Sequence, residues 1–442
     1  MMVISKLKYM MKMLAEDEST RRDAANRASA EKTILILCDI FPPAFGPRMG
    51  YLCKYIRQMG WKPVVVTEYA DGEHFSFLTK DVEALYLRYY AKKGLAGRIE
   101  WAVTFLCDAL FGCKDRRMYR EARKLMAGRR FDLILCSTYR TFPLSAAWRL
   151  ARRTGLPLVA DLRDIIEQYA GNEFIDHSLP EAFGIGRLIA SVFRRRSLKT
   201  RNRILRDAAC VATVSPWHVS VLKTYNANTR LIYNGYDPEL FLPSGTRAGT
   251  FSITYTGRLI SLAMRDPGLL FQAVRRLAAE NVITPGTFRV RWYVDGKSKA
   301  LIARAAEEYA GIAAFMEYHG YVPATEVPAL LNGSSVLLVL ANRSGADGPN
   351  GVMTTKFFEY LAVGKPILCV RGDGGCLEEV ISRTRSGLSA HSADEAYGFI
   401  REHYLRWRDG KPCDDSPDWN EVRKFSRVEQ ARQFVEIFNF LS

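Results

Sequence analysis

Residues 350–368, NGVMTTKFFEYLAVGKPIL, combine groups that could bind an anion with the apolar face of a predicted helix. A helix start carries about half a positive charge, and its N–H groups can hold phosphate oxygens. A carboxylate on an apolar face is costly unless it is paired. Glu359 therefore either pairs with a lysine one turn earlier or accepts hydrogen bonds from ligand hydroxyls, such as those of a sugar or ribose. The candidate anion-binding residues at the helix start are Gly351, Thr354, Thr355 and Lys356.

Two further turns combine glycine with arginine directly after predicted strands. Gly46 and Arg48 follow TILILC, where the glycine permits either the close approach of a phosphate or simply a tight turn. Gly257 and Arg258 follow FSITYT, with Arg265 on the same loop. A guanidinium group matches phosphate oxygens as a two-pronged donor, although surface arginines are common. Both turns are candidate phosphate contacts.

Length and composition favour a globular protein of two domains with anionic partners. The 442 residues exceed one ordinary core, and 48% of them are hydrophobic. The net charge of +16 indicates nucleic acid, an acidic membrane surface or phosphorylated small molecules. Nucleic acid is disfavoured because no recognised binding module accompanies the charge.

Cysteine and apolar patterns argue against several other classes. The nine cysteines form no CxxC pair and no zinc-type cluster with histidine, so we expect no metal and a reduced, cytoplasmic protein. No uninterrupted apolar run of 18 residues is present, which argues against a spanning helix. The start, 1–31, lacks a signal-peptide pattern and is polar from about residue 15, so it is predicted to be a flexible extension.

Short apolar runs alternate with longer helical segments in two series. Continuous apolarity indicates strands buried on both faces, and hence parallel sheets covered by helices. We therefore predict an α/β fold of two facing Rossmann-like, doubly wound domains, whose ligands bind beyond the carboxyl ends of the strands. The predicted domains are 32–241 and 242–420, and 421–442 is predicted to be a helix that packs back on the first domain. The runs are TILILCDI, PVVVTEY, FDLILCST, PLVADLRD, CVATVSP and RLIYNGY, then FSITYTGRL, FRVRWYVDG, FMEYHGYV, SVLLVLAN and PILCVRGD.

The chain resembles the family 4 glycosyltransferases of GT-B fold. The resemblance covers residues 33–440 and is most specific in NGYDPELF and TTKFFEYLAVGKPIL. Further matching stretches, in the order expected of that family, are FPPAFGPRMGYLCKYIRQMGW, DLRD, TVSP, YTGRL and HGYVPATEVPALLNGSSVLLVL.

The resemblance implies a nucleotide-sugar donor bound mainly by the second domain and an acceptor bound mainly by the first. It implies that Glu359 hydrogen-bonds the ribose, and that Arg258 or Arg265 holds the diphosphate together with Lys356. It also implies a metal-independent reaction without a cofactor, consistent with the lack of an Asp-x-Asp motif. The remaining implied contacts are Gly46 at the phosphates and Tyr321 and Val322 at the base.

The sequence departs from the family pattern at two places. Gly351 stands where the family usually has a first glutamate, eight residues before Glu359, so the retaining stereochemistry that the family implies rests on one glutamate of the usual pair. The segment DLRDIIEQY replaces a histidine common after the fifth strand, which makes Asp161, Arg163 and Asp164 candidates for acceptor-side chemistry. These three residues could equally form a salt-bridge cluster at a strand end.

The predicted function is transfer of a sugar to a glycan or lipid-linked acceptor in cell-surface polysaccharide synthesis. Two alternatives stay open: a nucleotide-sugar epimerase or hydrolase of the same fold, and a non-catalytic partner in polysaccharide assembly. The missing first glutamate favours the last of these.

Two segments are predicted to be basic or aromatic surface helices suited to an anionic membrane. One runs from Arg194 to Arg206 and holds seven basic and no acidic residues, and the other holds apolar residues from Trp101 to Phe111. The sequence therefore predicts a peripheral position on the inner membrane face, although an ordinary solvated basic surface is the alternative.

Overall fold

The computed structural model describes residues 32–139, 141–169, 185–259, 261–341, 353–411 and 416–442, with the side chains of 185–189 excepted. The predicted extension 1–31 and Gly351 lie outside the described residues.

The first sheet is parallel in every described pairing and has the order β3-β2-β1-β4-β5-β6-β7. The order reverses between β1 and β4, so a crevice is expected beyond the carboxyl ends of these two strands. The strands are β1 (Lys32–Cys38), β2 (Trp61–Glu68), β3 (Glu83–Leu87), β4 (Leu133–Thr138), β5 (Leu158–Leu162), β6 (Cys210–Thr213) and β7 (Thr229–Leu231). The helices between and after them are α1 (Pro47–Arg57), α2 (Gly94–Phe111), α3 (Cys113–Met126), α4 (Leu144–Thr154), α5 (Ile185–Asp207) and α6 (Pro216–Leu222).

The second sheet repeats this design with the order β10-β9-β8-β11-β12-β13, and its described pairings are also parallel. Its order reverses between β8 and β11. The strands are β8 (Phe251–Thr256), β9 (Phe288–Tyr293), β10 (Met316–His319), β11 (Val336–Leu340), β12 (Ile367–Val370) and β13 (Gly387–Ala390). The helices are α7 (Gly268–Ala279), α8 (Gly296–Glu307), α9 (Val327–Asn332), α10 (Thr355–Val363), α11 (Cys376–Thr384), α12 (Ala393–Arg408), α13 (Trp419–Arg423) and α14 (Arg427–Leu441).

Helices cover both faces of each sheet, which explains the continuous apolarity of the central strands. Every residue of β4, β5 and β11 is buried. Two apolar clusters lie on opposite faces of the first sheet, and two more lie on opposite faces of the second. The predicted fold class, two doubly wound parallel sheets, is confirmed.

The chain passes between the sheets twice, and the two passages contact each other. Tyr236 N donates to Phe425 O at 3.1 Å, and Arg427 N donates to Tyr236 O at 2.8 Å. A Cβ atom on Gly235 would lie 2.3 Å from Phe425 O, so only glycine fits where the passages cross. The second passage leads into α14.

Helix α14 packs on the first sheet although it follows the second in the chain. Phe434 and Phe438 belong to the apolar cluster formed by β1, β2 and α1. Trp61 of β2 packs edge-on against Phe438 with ring centroids 5.3 Å apart, and its indole N–H donates to Asn439 at 3.2 Å.

Candidate functional site

The candidate anion site lies at the switch point of the second sheet, where α10 begins. Thr354 is the N-cap residue of α10, and the Oγ1 atom of Thr354 is buried without a hydrogen-bond partner among the described residues. Thr355 and Lys356 occupy the first turn, and α10 has no acidic residue there. The helix start therefore keeps its positive electrostatic potential.

Lys356 extends from this helix start to the carboxyl end of β8. Its Nζ atom is buried, lies 4.0 Å from the ring centroid of Tyr255, and has no hydrogen-bond acceptor in the described part of the chain. Burial lowers the pKa of Lys356, and the positive charge of Arg265 lowers it too, whereas Tyr255 opposes the change. A buried ammonium group without an acceptor costs free energy that an anionic ligand would recover.

Gly257 provides the space that Lys356 occupies. A Cβ atom at this position would lie 2.4 Å from Lys356 Nζ, and the φ angle of 119° is one that residues with side chains rarely adopt. The glycine after β8 is therefore explained by the approach of a charged side chain rather than by the turn alone.

Two arginines follow Gly257 on the same loop. Arg258 is 80% exposed, and its Nε donates to Asp295 at 2.9 Å. Arg265 Nη1 donates to the carbonyl oxygen of Arg258 at 2.6 Å, and Arg265 is close enough to influence the pKa of Lys356. The structure thus places Arg265 beside Lys356, whereas the guanidinium of Arg258 is engaged by a carboxylate.

Glu359 lies one turn into α10 and is half-buried. Burial raises its pKa to about 7, while the nearby charges of Arg427 and Lys356 act to lower it. Among the described residues, none forms a hydrogen bond or an ion pair within 4 Å with its carboxylate. The sequence left two interpretations of Glu359, an ion pair with Lys356 or hydrogen bonds from ligand hydroxyls. The described contacts contain no direct pair between Glu359 and Lys356.

Arg427, which the sequence reasoning missed, is the first residue of α14 and reaches the same region. Its side chain is 1% exposed, lies 5.3 Å from the ring centroid of Tyr51, and donates from Nη1 to Gln430 at 2.9 Å. Its Nε atom is buried without a described partner. Burial lowers the pKa of Arg427 to about 10, and Arg48 lowers it as well. No local motif marks this arginine, because the fold brings it to Glu359 from 68 positions away.

The predicted base-contacting residues lie at the tip of the loop after β10. Tyr321 is 66% exposed, and its ring centroid is 5.0 Å from that of His74, on the loop after β2. Val322 is half-buried beside it. The loops beyond the carboxyl ends of the two sheets therefore meet across the cleft.

Arg48 and Asp161 form a buried ion pair rather than a ligand site. Arg48 Nε and Nη2 donate to the two oxygens of Asp161 at 3.1 and 2.9 Å, and the other Arg48 N–H groups donate to Ile232, Tyr233 and Asn234. Asp161 also accepts from Ser137 and is 0% exposed. All N–H groups of Arg48 are used within the protein, and Asp161 is completely buried in this pair, so the ligand contact predicted for Arg48 and the catalytic role predicted for Asp161 do not fit this geometry.

Gly46 has a φ angle of 86°, and a Cβ atom there would lie 2.7 Å from Ile40 O. The tight-turn alternative therefore accounts for this glycine without a ligand. The turn nevertheless places the start of α1 at the switch point of the first sheet.

Asp164 and Asp39 lie at the carboxyl edge of the first sheet, after β5 and β1. Asp164 accepts from Gln168 at 2.9 Å, and burial raises its pKa. Asp39 pairs with Arg163 and accepts from Tyr139 N at 3.1 Å. Burial raises the pKa of Asp39, against the opposing charge of Arg163. The sequence reasoning missed Asp39, although its place directly after β1 could have indicated it.

Comparison with known proteins agrees with this architecture. Residues 48–240 match the family model described as Glycosyltransferase Family 4. No curated protein sequence matches the chain significantly.

Three solved structures share the fold at low sequence identity. Sucrose-phosphate synthase from Thermosynechococcus elongatus has a TM-score of 0.62 and 14% identity, covering 93% of this chain and 99% of its own. HepE from Anabaena, in complex with UDP and glucose, has a TM-score of 0.61 and 14% identity, covering 93% and 100%. A glycosyltransferase from Rickettsia africae has a TM-score of 0.61 and 15% identity, covering 93% and 99%. Residues 48–240 are therefore similar to the family 4 glycosyltransferases, and the chain as a whole shares the GT-B fold of these solved structures.

Proposed function

We propose that the protein transfers a sugar from a nucleotide-diphosphate sugar to a glycan or lipid-linked acceptor. The observation that carries this proposal is the buried ammonium of Lys356 at a helix start, which has no hydrogen-bond acceptor among the described residues and lies where a Cβ atom on Gly257 would otherwise be. HepE, which shares the fold, binds UDP and UDP-glucose. UDP is therefore the first nucleotide to test.

In the proposed donor complex, Lys356, Arg265 and the start of α10 face the diphosphate. They stabilise the negative charge that grows as the bond between the sugar and the phosphate oxygen breaks. The diphosphate leaves with the electron pair of that bond, and the acceptor oxygen takes its place on the sugar carbon. Glu359 accepts hydrogen bonds from the ribose hydroxyls, and Tyr321 and Val322 contact the base.

On the acceptor side, Asp164 is the proposed partner of the attacking hydroxyl. Burial raises the pKa of Asp164 above that of an exposed aspartate, which makes its carboxylate a better acceptor for the proton that the attacking hydroxyl loses. The meeting of the loops that carry His74 and Tyr321 supports a cleft that closes over the reactants and excludes water. We further propose a metal-independent, retaining reaction in polysaccharide synthesis at the cytoplasmic face of the membrane.

Calorimetry with UDP and the Lys356→Ala variant tests the donor site. Loss of one charge-assisted contact of about 1.5–3 kcal/mol predicts an affinity roughly ten- to a hundredfold lower. Lys411→Ala is the matched control, because Lys411 is exposed in the same half of the chain. Equal UDP affinity in wild type and Lys356→Ala would reject the site.

Release of nucleoside diphosphate from a panel of sugar nucleotides tests the reaction class. Transfer requires release to increase when lipid or glycan extract is added. Turnover to an epimer without any acceptor would instead assign the site to an epimerase, and absence of nucleotide binding would favour a non-catalytic partner.

A further inference from the structure

Helix α2 (Gly94–Phe111) carries an exposed apolar stripe. No residue of this 18-residue helix is buried. Large apolar residues recur every three or four positions from Leu95 to Leu110, which places them along one side of the helix, and the exposed Phe111 follows directly. Their exposed fractions run from 49% to 72%, and they are Leu95, Ile99, Val103, Leu106, Leu110 and Phe111.

The opposite side of α2 anchors it to the protein through aromatic rings. Trp101 and Phe105 stack with centroids 5.1 Å apart, and Phe105 lies 5.3 Å from Phe193 of α5. Phe105 also packs on Ile166, which follows β5. Surface helices normally turn their apolar side inward, so the outward stripe requires a partner to explain it.

The exposed charged residues around the stripe are basic. Between positions 91 and 111, every exposed residue is apolar, small or basic, and the basic ones are Lys92, Lys93 and Arg98. The carboxylates of Glu100 and Asp108 accept from backbone N–H groups of the protein, at 2.7 to 3.0 Å. On the neighbouring α5, Arg195, Arg196 and Lys199 are exposed, and Arg196 donates to Leu110 O at 2.9 Å.

We propose that this face of α2 docks on an anionic membrane surface, lying in its plane with the apolar stripe among the lipids. The stripe is about 24 Å long, and an apolar side flanked by lysine and arginine is the pattern of a helix that binds at the lipid interface. A second copy of the chain fits less well, because a symmetric contact would bring the basic flanks of both copies together.

The described structure has no helix that is both long and apolar enough to cross a membrane, so attachment through α2 is a surface contact. The residues that form this docking face differ in part from the membrane-contacting residues that the sequence predicted. Trp101 and Phe105 face the protein, Arg194 donates to Tyr169 O, and Arg201 is buried in a pair with Glu167.

The docking face adjoins the acceptor side of the cleft. Phe105 packs on the segment that follows Asp164, and Lys114, just beyond α2, pairs with Glu68 at the end of β2. Delivery of a lipid-linked acceptor along this route rests on the proposed function, whereas the docking itself does not.

Cosedimentation of the full-length protein with vesicles tests the proposal. We expect binding to phosphatidylcholine vesicles containing phosphatidylglycerol, and much weaker binding to phosphatidylcholine alone. The double variant Ile99→Asp/Leu106→Asp should reduce this binding roughly tenfold or more, because it places charges in the stripe. Lys92→Gln with Arg98→Gln should reduce it and weaken its salt dependence.

Phe440→Asp is the matched control, because Phe440 is 82% exposed on α14, outside α2. Phe440→Asp should bind vesicles as the wild type does. Every variant should keep the UDP affinity of the wild type, because membrane docking and nucleotide binding use different surfaces. Equal binding to neutral vesicles, no binding to either kind, or an unchanged double variant would overturn the proposal. A dimer in vesicle-free solution that Ile99→Asp/Leu106→Asp dissociates would assign the face to a second copy instead.

Discussion

At the scale of single residues, the candidate donor site contains charged groups that lack hydrogen-bond partners among the described residues. Lys356 Nζ and Arg427 Nε are buried without described partners, and Glu359 has a pKa of about 7 because burial outweighs the two nearby cations. Unpaired buried charges cost stability, so their concentration at one switch point favours a binding role.

This arrangement predicts that UDP affinity depends on pH through Glu359. The free carboxyl group has a pKa of about 7, and hydrogen bonds from ribose hydroxyls would return it toward the ordinary 4.5. Binding then releases a proton, so affinity should rise about tenfold between pH 6 and pH 8. Calorimetry in buffers of different ionisation enthalpy measures both the affinity and the proton released.

Glu359→Gln provides the control, because it removes the titrating group while UDP keeps its own ionisation. The difference between the two proteins should therefore contain the Glu359 contribution alone. Identical pH profiles would show that the carboxylate does not contact the ligand. The same group should cost folding stability as pH rises toward 7, because the folded state binds more protons than the unfolded state between pH 4.5 and 7.

At the scale of helices and strands, the sequence predicts the strands that are buried on both faces and misses the strands that are partly exposed. The continuous apolar runs identify strands such as β1, β4 and β11 because helices cover both of their faces. The edge strands β3 and β13 are short and partly exposed, so no apolar run marks them.

The candidate site was predictable where each residue belongs to a short local motif. Lys356 and Glu359 stand out in TTKFFEYLAVGKPIL, and Gly257 stands out in YTGRL, directly after a strand. The pair between Arg48 and Asp161 joins positions 113 residues apart, and local patterns carry no information about such a contact. The same holds for Arg427, which reaches Glu359 only because α14 returns to the first sheet.

Helix α14 is therefore expected to tune the donor site. Arg427 lowers the pKa of Glu359, so Arg427→Met should raise that pKa above about 7 and move the rise in UDP affinity to higher pH. Affinity at pH 7 should fall accordingly. Binding curves over a pH series measure the shift, with Arg432→Met as the control, because Arg432 lies on the same helix but pairs with Glu429 at the surface. An unchanged pH midpoint would mean that α14 serves packing alone.

At the scale of the whole molecule, the two sheets are connected by crossing passages and by the return of α14. Asp237 of the first passage accepts from Tyr55 and Lys54 of α1, and Tyr236 pairs with the second passage. Apolar residues of both passages, Phe241 and Phe425, belong to the cluster beneath α10. These contacts fix the position of α14 relative to α10.

Gly235→Ala should disrupt this junction. The added Cβ atom would lie 2.3 Å from Phe425 O, and because the obstacle is backbone, the passages themselves must separate. Overpacking of this kind costs about 1–3 kcal/mol, and here it should also weaken the coupling between the sheets. Urea unfolding followed by fluorescence should therefore show a lower midpoint and a broader or biphasic transition.

Gly249→Ala is the matched control, because it lies between the two sheets in sequence and a Cβ atom there meets nothing within 4 Å. If both variants unfold alike, the close crossing at Gly235 does not hold the two halves together. If Gly235→Ala alone is affected and UDP affinity also falls, the junction positions the donor site as well as stabilising the fold.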